Sequence, residues 1–228
     1  MDEFEIIRRY FERESTDENV RISIGDDGAV LRPSPERDLI SVVDTLVSGV
    51  HFPESLDPAD VGYRAVVVNL SDVAAMGARP RWMTLALTLK NAEPAWLEGF
   101  ARGLFAAADE HEMTLVGGDT TRGSETVISV QIIADVDPGK TMTRGGAKAG
   151  DAIYVTGTVG DAAAGLSILQ SGLPASAAVD YLVQRFARPV ARVDAGEAIA
   201  QFAHSAIDLS DGLYSDLEKM LIASGVAG

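Results

Sequence analysis

Between Asp38 and Val136, short apolar runs alternate with longer amphipathic stretches, and this alternation constrains the fold more than any other feature of the chain. DLISVVDTL is too short for an independent helix and rich in β-branched residues, so it reads as a strand ending at Asp44. From Pro58 to Met76, the sequence around AVVVNLSDVAAM predicts a long helix with an aspartate and proline at its start, and Asn69, Asp72 and Met76 share one side of it. MTLALTL is a second strand, Pro94 to Glu110 an amphipathic helix, MTLVGGDT a strand delivering a glycine-rich turn, and TVISVQIIADV a long strand. Interleaved periods of two and 3.6 specify a sheet covered by helices. Upstream, residues 3–14 have helical spacing, and GDDGAVL forms a glycine-aspartate turn.

The pattern breaks at DPGKTMTRGGAKAGD, rich in glycine and charge, and then restarts. DAIYVTGTVGDAAAGLSIL and SAIDLSDGLYSDLEKMLIASG each read as strand, glycine turn and helix. The expectation is a mixed α/β protein with an N-terminal β/α domain at residues 1–138 and a C-terminal α/β domain at 149–228. Two strands are too few to close a sheet against their helices, so the second domain is expected to be incomplete and the chain truncated.

Composition narrows the function. A formal charge of −15 from 34 acidic and 19 basic residues repels nucleic acid and anionic lipid, which argues against both as partners. The absence of cysteine removes disulfides, thiolate metal sites and a cysteine nucleophile. No stretch reaches the length of a membrane span and the N-terminus has no apolar signal region, so a cytoplasmic location is expected. If an acidic protein of this kind binds a nucleotide, cations must bridge carboxylate to phosphate.

Six aspartates stand beside glycine, serine or a strand end: Asp27 in GDDGAVL, Asp44 in VVDTL, Asp72 in NLSDVAAMG, Asp119 in VGGDTTRG, and Asp208 with Asp211 in DLSDGL. Magnesium takes near-octahedral oxygen ligation and keeps several waters, which suits single carboxylates brought from different loops. Neighbouring glycines let backbone amides approach phosphate oxygens. Taken singly, each Asp-Gly segment reads first as a turn. Asp72 differs, because it interrupts an apolar helix where an unpaired carboxylate is costly. No GxxxxGK[ST], kinase catalytic loop or GxSxG elbow is present. Arg144 in RGGAKAG suits a phosphate, although a basic glycine-rich linker explains it equally well. His51 lies in a glycine-proline loop beyond Asp44 where a substrate contact fits, whereas His204 reads as a strand or core residue.

In this order, GDDGAVL, VVDTLVSGVHF, GYRAVVVNLSDVAAMGA, LVGGDTTRG, GDAIYVTGTVGDAAAGL and AIDLSDGL resemble the thiamine-monophosphate kinase family, over essentially the whole chain. The resemblance implies a homodimer paired through its N-terminal sheets and transfer of the γ-phosphoryl group of ATP to thiamine monophosphate. It implies magnesium ligands at Asp27, Asp44, Asp72, Asp119, Asp208 and Asp211, ATP contacts at Gly118, Asp119, Arg144 and Ser210, and a substrate contact at His51. Where the family commonly has hydroxyl residues, this chain has Val42 and Val43, so ligation there would fall to backbone carbonyls. A GGEDYE-like segment and an aromatic residue that hold the thiamine end in the family are not in the chain.

The acceptor phosphate is already anionic near neutral pH, so the expected chemistry needs no general base and rests on positioning and charge neutralisation. Two rival readings stand beside it: another ATP-using enzyme of the same superfamily, such as aminoimidazole ribonucleotide synthetase, selenophosphate synthetase or a hydrogenase maturation factor, and a nucleotide-binding or dimerisation module without turnover.

Overall fold

A computed structural model of the chain describes residues 1–227. The N-terminal run forms a short helix α1 (Glu3–Ile6), capped by the Asp2 carboxylate on Glu5 N–H at 2.8 Å and continued by one wider π-helical turn over Ile7–Phe11. A small antiparallel pair follows, β1 (Val20–Ile22) with β2 (Val30–Leu31). The main sheet contains β3 (Asp38–Val47), β4 (Arg79–Leu89), β5 (Thr114–Arg122) and β6 (Val127–Val136), in the order β3-β6-β4-β5. Helices α2 (Pro58–Ala75) and α3 (Pro94–Glu110) carry the connections, and α3 joins the parallel pair β4–β5.

The chain divides into two compact units, Met1–Asn69 with Pro80–Asp135 and Leu70–Arg79 with Val136–Gly228. Alternation along the strands of the first unit separates a dry face from an open one. Met83, Leu87, Ile128 and Ile132 are fully buried with Val61, Val66 and Val67 of α2 and Leu97, Phe100 and Leu104 of α3. A Cβ on Gly62 would lie 2.1 Å from Phe100 O, and one on Gly103 would lie 1.8 Å from Ala59 O, so the two helices pack backbone against backbone. On the open face the Gln131 amide donates to Ser41 Oγ at 2.9 Å, Thr84 Oγ donates to Gln131 Oε1 at 3.3 Å, and the Thr45 and Ser129 hydroxyls meet at 2.7 Å. Asp135 is buried between two arginines, accepting from Arg37 Nε and Arg81 Nε, each at 2.7 Å.

The second unit is helical: α4 (Asp161–Ser171), α5 (Ala177–Ala187), α6 (Val193–Ile199) and α7 (Leu213–Ser224). Gly165 of α4 lies against Leu182 O of α5, where a Cβ would come within 2.0 Å. DAIYV and SAIDL, both expected as strands, are unpaired, and among the described residues no strand follows Val136. A strand exists only through its ladder, and neither run has one. The apolar side chains of DAIYV stay open, with Ile153 and Tyr154 64% and 88% exposed.

Candidate functional site

In the sheet unit, strand geometry sets the candidate carboxylates. Asp44 is exposed on β3 at the same parity as Ile40, Val42 and Leu46, and so stands on the face opposite Ser41 and Thr45. Asp119 is exposed on β5, in register with Ala86 and therefore on the open face. The two strands are opposite edges of the sheet, about 14 Å apart at three strand spacings. Within one chain the sheet therefore does not bring Asp44 and Asp119 together. Asp27 is exposed in the loop between β1 and β2, its amide donating to Asp26 Oδ1 at 2.8 Å.

The glycine-rich turn expected at VGGD is instead a continuous strand with a bulge. Met83 pairs with Leu115 but Thr84 pairs with Gly117, which leaves Val116 as the extra residue. Gly118 has φ +154°, and a Cβ there would lie 1.8 Å from Leu85 O. Only glycine lets β5 lie this close to β4 and carry Asp119 in register.

His51 sits in the tight turn after β3. Val47 O accepts His51 N–H at 2.9 Å, and Val47 N–H donates to the ring Nδ1 at 3.0 Å. A ring nitrogen that accepts carries no proton, so in the neutral imidazole the hydrogen lies on Nε2, leaving an exposed side chain with one outward donor.

In the second unit, Asp72 is half-buried on α2. Arg144 is exposed in a segment tied down on both sides: Ser224 Oγ donates to Arg144 O at 3.1 Å, and Thr143 O accepts Ala206 N–H at 3.0 Å. The second bond ties the residue before Arg144 to Ala206, two residues ahead of Asp208. His204, expected in a strand or the core, is half-exposed, and its Nδ1 lies 2.8 Å from Asp151 Oδ2.

The Asp208–Asp211 turn is organised by two residues that the sequence reading does not single out. Asp216, only 1% exposed in the first turn of α7, accepts Ser210 N–H at 2.9 Å and Asp211 N–H at 3.0 Å on Oδ2. Lys219 Nζ donates to Asp216 Oδ1 at 2.9 Å and to Asp211 Oδ2 at 2.6 Å. Burial by itself would push the Asp216 carboxyl up, but Lys219 and the two amides outweigh it and hold the group below its usual value. The bond to Asp211, then that to Asp216, raises the Lys219 ammonium above its usual range. The available signal was a carboxylate and a lysine three residues apart at the start of a helix that directly follows an aspartate turn.

Among the described residues, no three acidic or histidine side chains already converge as a cation cage. No helix among them is long and apolar enough to cross a membrane.

Residues 25–136 match the family described as AIR synthase related protein, N-terminal domain. The thiamine-monophosphate kinase of Escherichia coli K12 is 51% identical over 225 residues, covering 97% of this chain and 69% of that protein. The crystal structure of thiamine-monophosphate kinase from Stenotrophomonas maltophilia K279a superposes with a TM-score of 0.84 at 44% identity, covering 97% of this chain and 71% of that one. A structure described as AaThiL complexed with AMPPCP and TMP superposes with a TM-score of 0.81 at 35% identity, over 89% of this chain and 65% of that one.

Proposed function

The chain belongs to the thiamine-monophosphate kinase family, and on that premise we propose that it transfers the γ-phosphoryl group of ATP to the phosphate of thiamine monophosphate, giving thiamine diphosphate and ADP. The observation that carries this reading is a likeness at 51% identity that covers 97% of the chain.

The donors suit magnesium. Every candidate ligand is a carboxylate oxygen, the chain has no thiolate, and the Asp211 carboxylate already holds a cation, the Lys219 ammonium at 2.6 Å. Asp27, Asp44, Asp72, Asp119, Asp208 and Asp211 are the residues that would hold it. When bound, magnesium supplies charge neutralisation between two anionic substrates. The chain itself supplies position. Arg144 would meet the phosphates as a planar donor, Ser210 and the Gly118–Asp119 backbone would approach the nucleotide, and the His51 Nε2–H would offer one hydrogen bond to the acceptor. No side chain need remove a proton, since the attacking phosphate oxygen is already ionised.

We also propose that two copies pair through the open face of the sheet. Leu39 and Val43, 50% and 62% exposed, share that face with the Ser41–Gln131–Thr84 ladder, and a second sheet would cover both without leaving the ladder unsatisfied. Val43→Lys should then convert a dimer to a monomer in light scattering; a wild-type monomer at micromolar concentration would remove the pairing.

The reaction is tested by supplying ATP and magnesium with either thiamine monophosphate or thiamine and separating the products by chromatography. Thiamine diphosphate from the monophosphate alone is expected. A folded protein that makes none, or that phosphorylates thiamine instead, overturns the assignment.

A further inference from the structure

A carboxylate buried in a helix is expensive unless charge and hydrogen bonds compensate it. Asp216 is compensated on both oxygens, and its partners are unusual. A helix normally has its own first amides capped by a side chain that precedes it. Here Gly212 precedes α7 with no side-chain cap, and the carboxylate in the first turn reaches back to the amides of Ser210 and Asp211, which lie outside the helix. These are the amides of the turn whose oxygens face solvent. Lys219 completes the arrangement by holding the Asp211 carboxylate and the Asp216 carboxylate with one ammonium.

We propose that Asp216 is a positioning residue for the Asp208–Asp211 turn, fixing its backbone so that Ser210 and Asp211 meet the magnesium-bound nucleotide in one preset shape, with Lys219 holding the Asp211 carboxylate until that cation arrives. The inference rests on the reading of this turn as part of the nucleotide site. Its physical basis is preorganisation: two amides bonded to one buried oxygen cannot turn away, so the ordering of the turn is complete before the ligand binds. Asp216 itself touches no substrate and acts only through the turn.

The test uses the full chain and two readouts, hydrogen exchange at the Ser210 and Asp211 amides and calorimetric titration with magnesium and the non-hydrolysable analogue AMPPCP. Asp216→Ala strands both amides and should lose their protection and weaken binding about tenfold or more. Asp216→Asn keeps an oxygen acceptor at the same reach and should recover both to within about threefold of the wild type. A merely structural carboxylate gives no such rescue. Asp216→Ala with protected amides and wild-type affinity overturns the proposal, as does an Asn variant no better than Ala. If the Ala variant lacks a cooperative melt, Asp216→Glu replaces it, since the longer side chain misplaces the acceptor while keeping the charge; the same loss is expected and the same retention overturns. Asp211→Asn separates this proposal from the reading beneath it. Wild-type affinity in that variant shows that the turn does not hold the nucleotide, whereas amide protection still reports on Asp216 with no ligand present.

Discussion

The two units hold their candidate oxygens by different means. Asp44 and Asp119 sit on paired strands, so backbone ladders and the packing of Gly118 against Leu85 fix where they stand. Asp208 and Asp211 lie outside any strand, and side chains hold the turn: Asp216 bonds the Ser210 and Asp211 amides, Lys219 holds Asp211, and Ser224 anchors the Arg144 segment. A ladder spreads its hold over many bonds, so no polar side-chain change undoes it. The Ser210 and Asp211 amides of the turn both rest on one carboxylate oxygen. The second group is therefore the adjustable one, open to change by a single substitution.

The largest loss is expected where a side chain is forced into the ladder at a glycine. In Gly118→Val the Cβ would meet Leu85 O at 1.8 Å, a backbone contact that no rotamer relieves, and the cost should be about 3 kcal/mol or more. Thermal unfolding followed by circular dichroism checks it; a melting point within a degree or two of the wild type would show that the sheet can shift without loss. Next in size is Asp135→Ala, which leaves Arg37 and Arg81 facing a cavity. Both arginines are partly solvated, side chains 29% and 34% exposed, so the loss should be about 2 kcal/mol rather than the full value of a buried pair. Urea midpoints measure it.

A smaller effect concerns acid. Burial alone would raise Asp17, but the Asn19 amide, the Trp82 indole N–H at 2.8 Å, the Asn19 side chain and Arg81 together hold it below the ordinary 3.8. A carboxyl depressed on folding contributes stability that is complete above 3.8 and is lost as pH falls through its lower folded value. Asp17→Asn should therefore cost about 1 kcal/mol at neutral pH and flatten the acid limb of the stability curve. An unchanged acid limb would remove Asp17 from the account. Smallest is His204→Ala in the second unit, where the partner Asp151 is solvated; the melting point should move by no more than about 1 °C. A larger drop would show that the pair braces its segment as Asp216 braces the turn.

These contrasts also explain how far the sequence could be read. The helix over Pro94–Glu110 and the strands ending at Leu89 and Val136 follow from periodicity, because each buries one face and the pattern records which. The strand through Gly117 and Gly118 was not legible: two adjacent glycines signal a turn, and only the nearness of Leu85 O reveals a bulged strand. DAIYV has the composition of a strand, but composition carries no information about whether a neighbour is there to pair with it. At the candidate site, the aspartates beside glycine and serine were visible as residue types. Asp216 was visible only as half of a pair three residues apart with Lys219; its reach back to amides five and six residues earlier depends on helix geometry, which local pattern does not record.

The order β3-β6-β4-β5 also governs how the sheet comes into being. β6 is the last of the four to leave the ribosome, yet it fills the gap between β3 and β4. Until Val127–Val136 has been synthesised, β3 has no neighbour in the sheet, and the β4–β5 pair presents a bare edge. The nascent chain must therefore hold two incomplete pieces apart and then close both onto one late strand, a non-local step of the kind that sets the pace of folding and opens a window for misassembly.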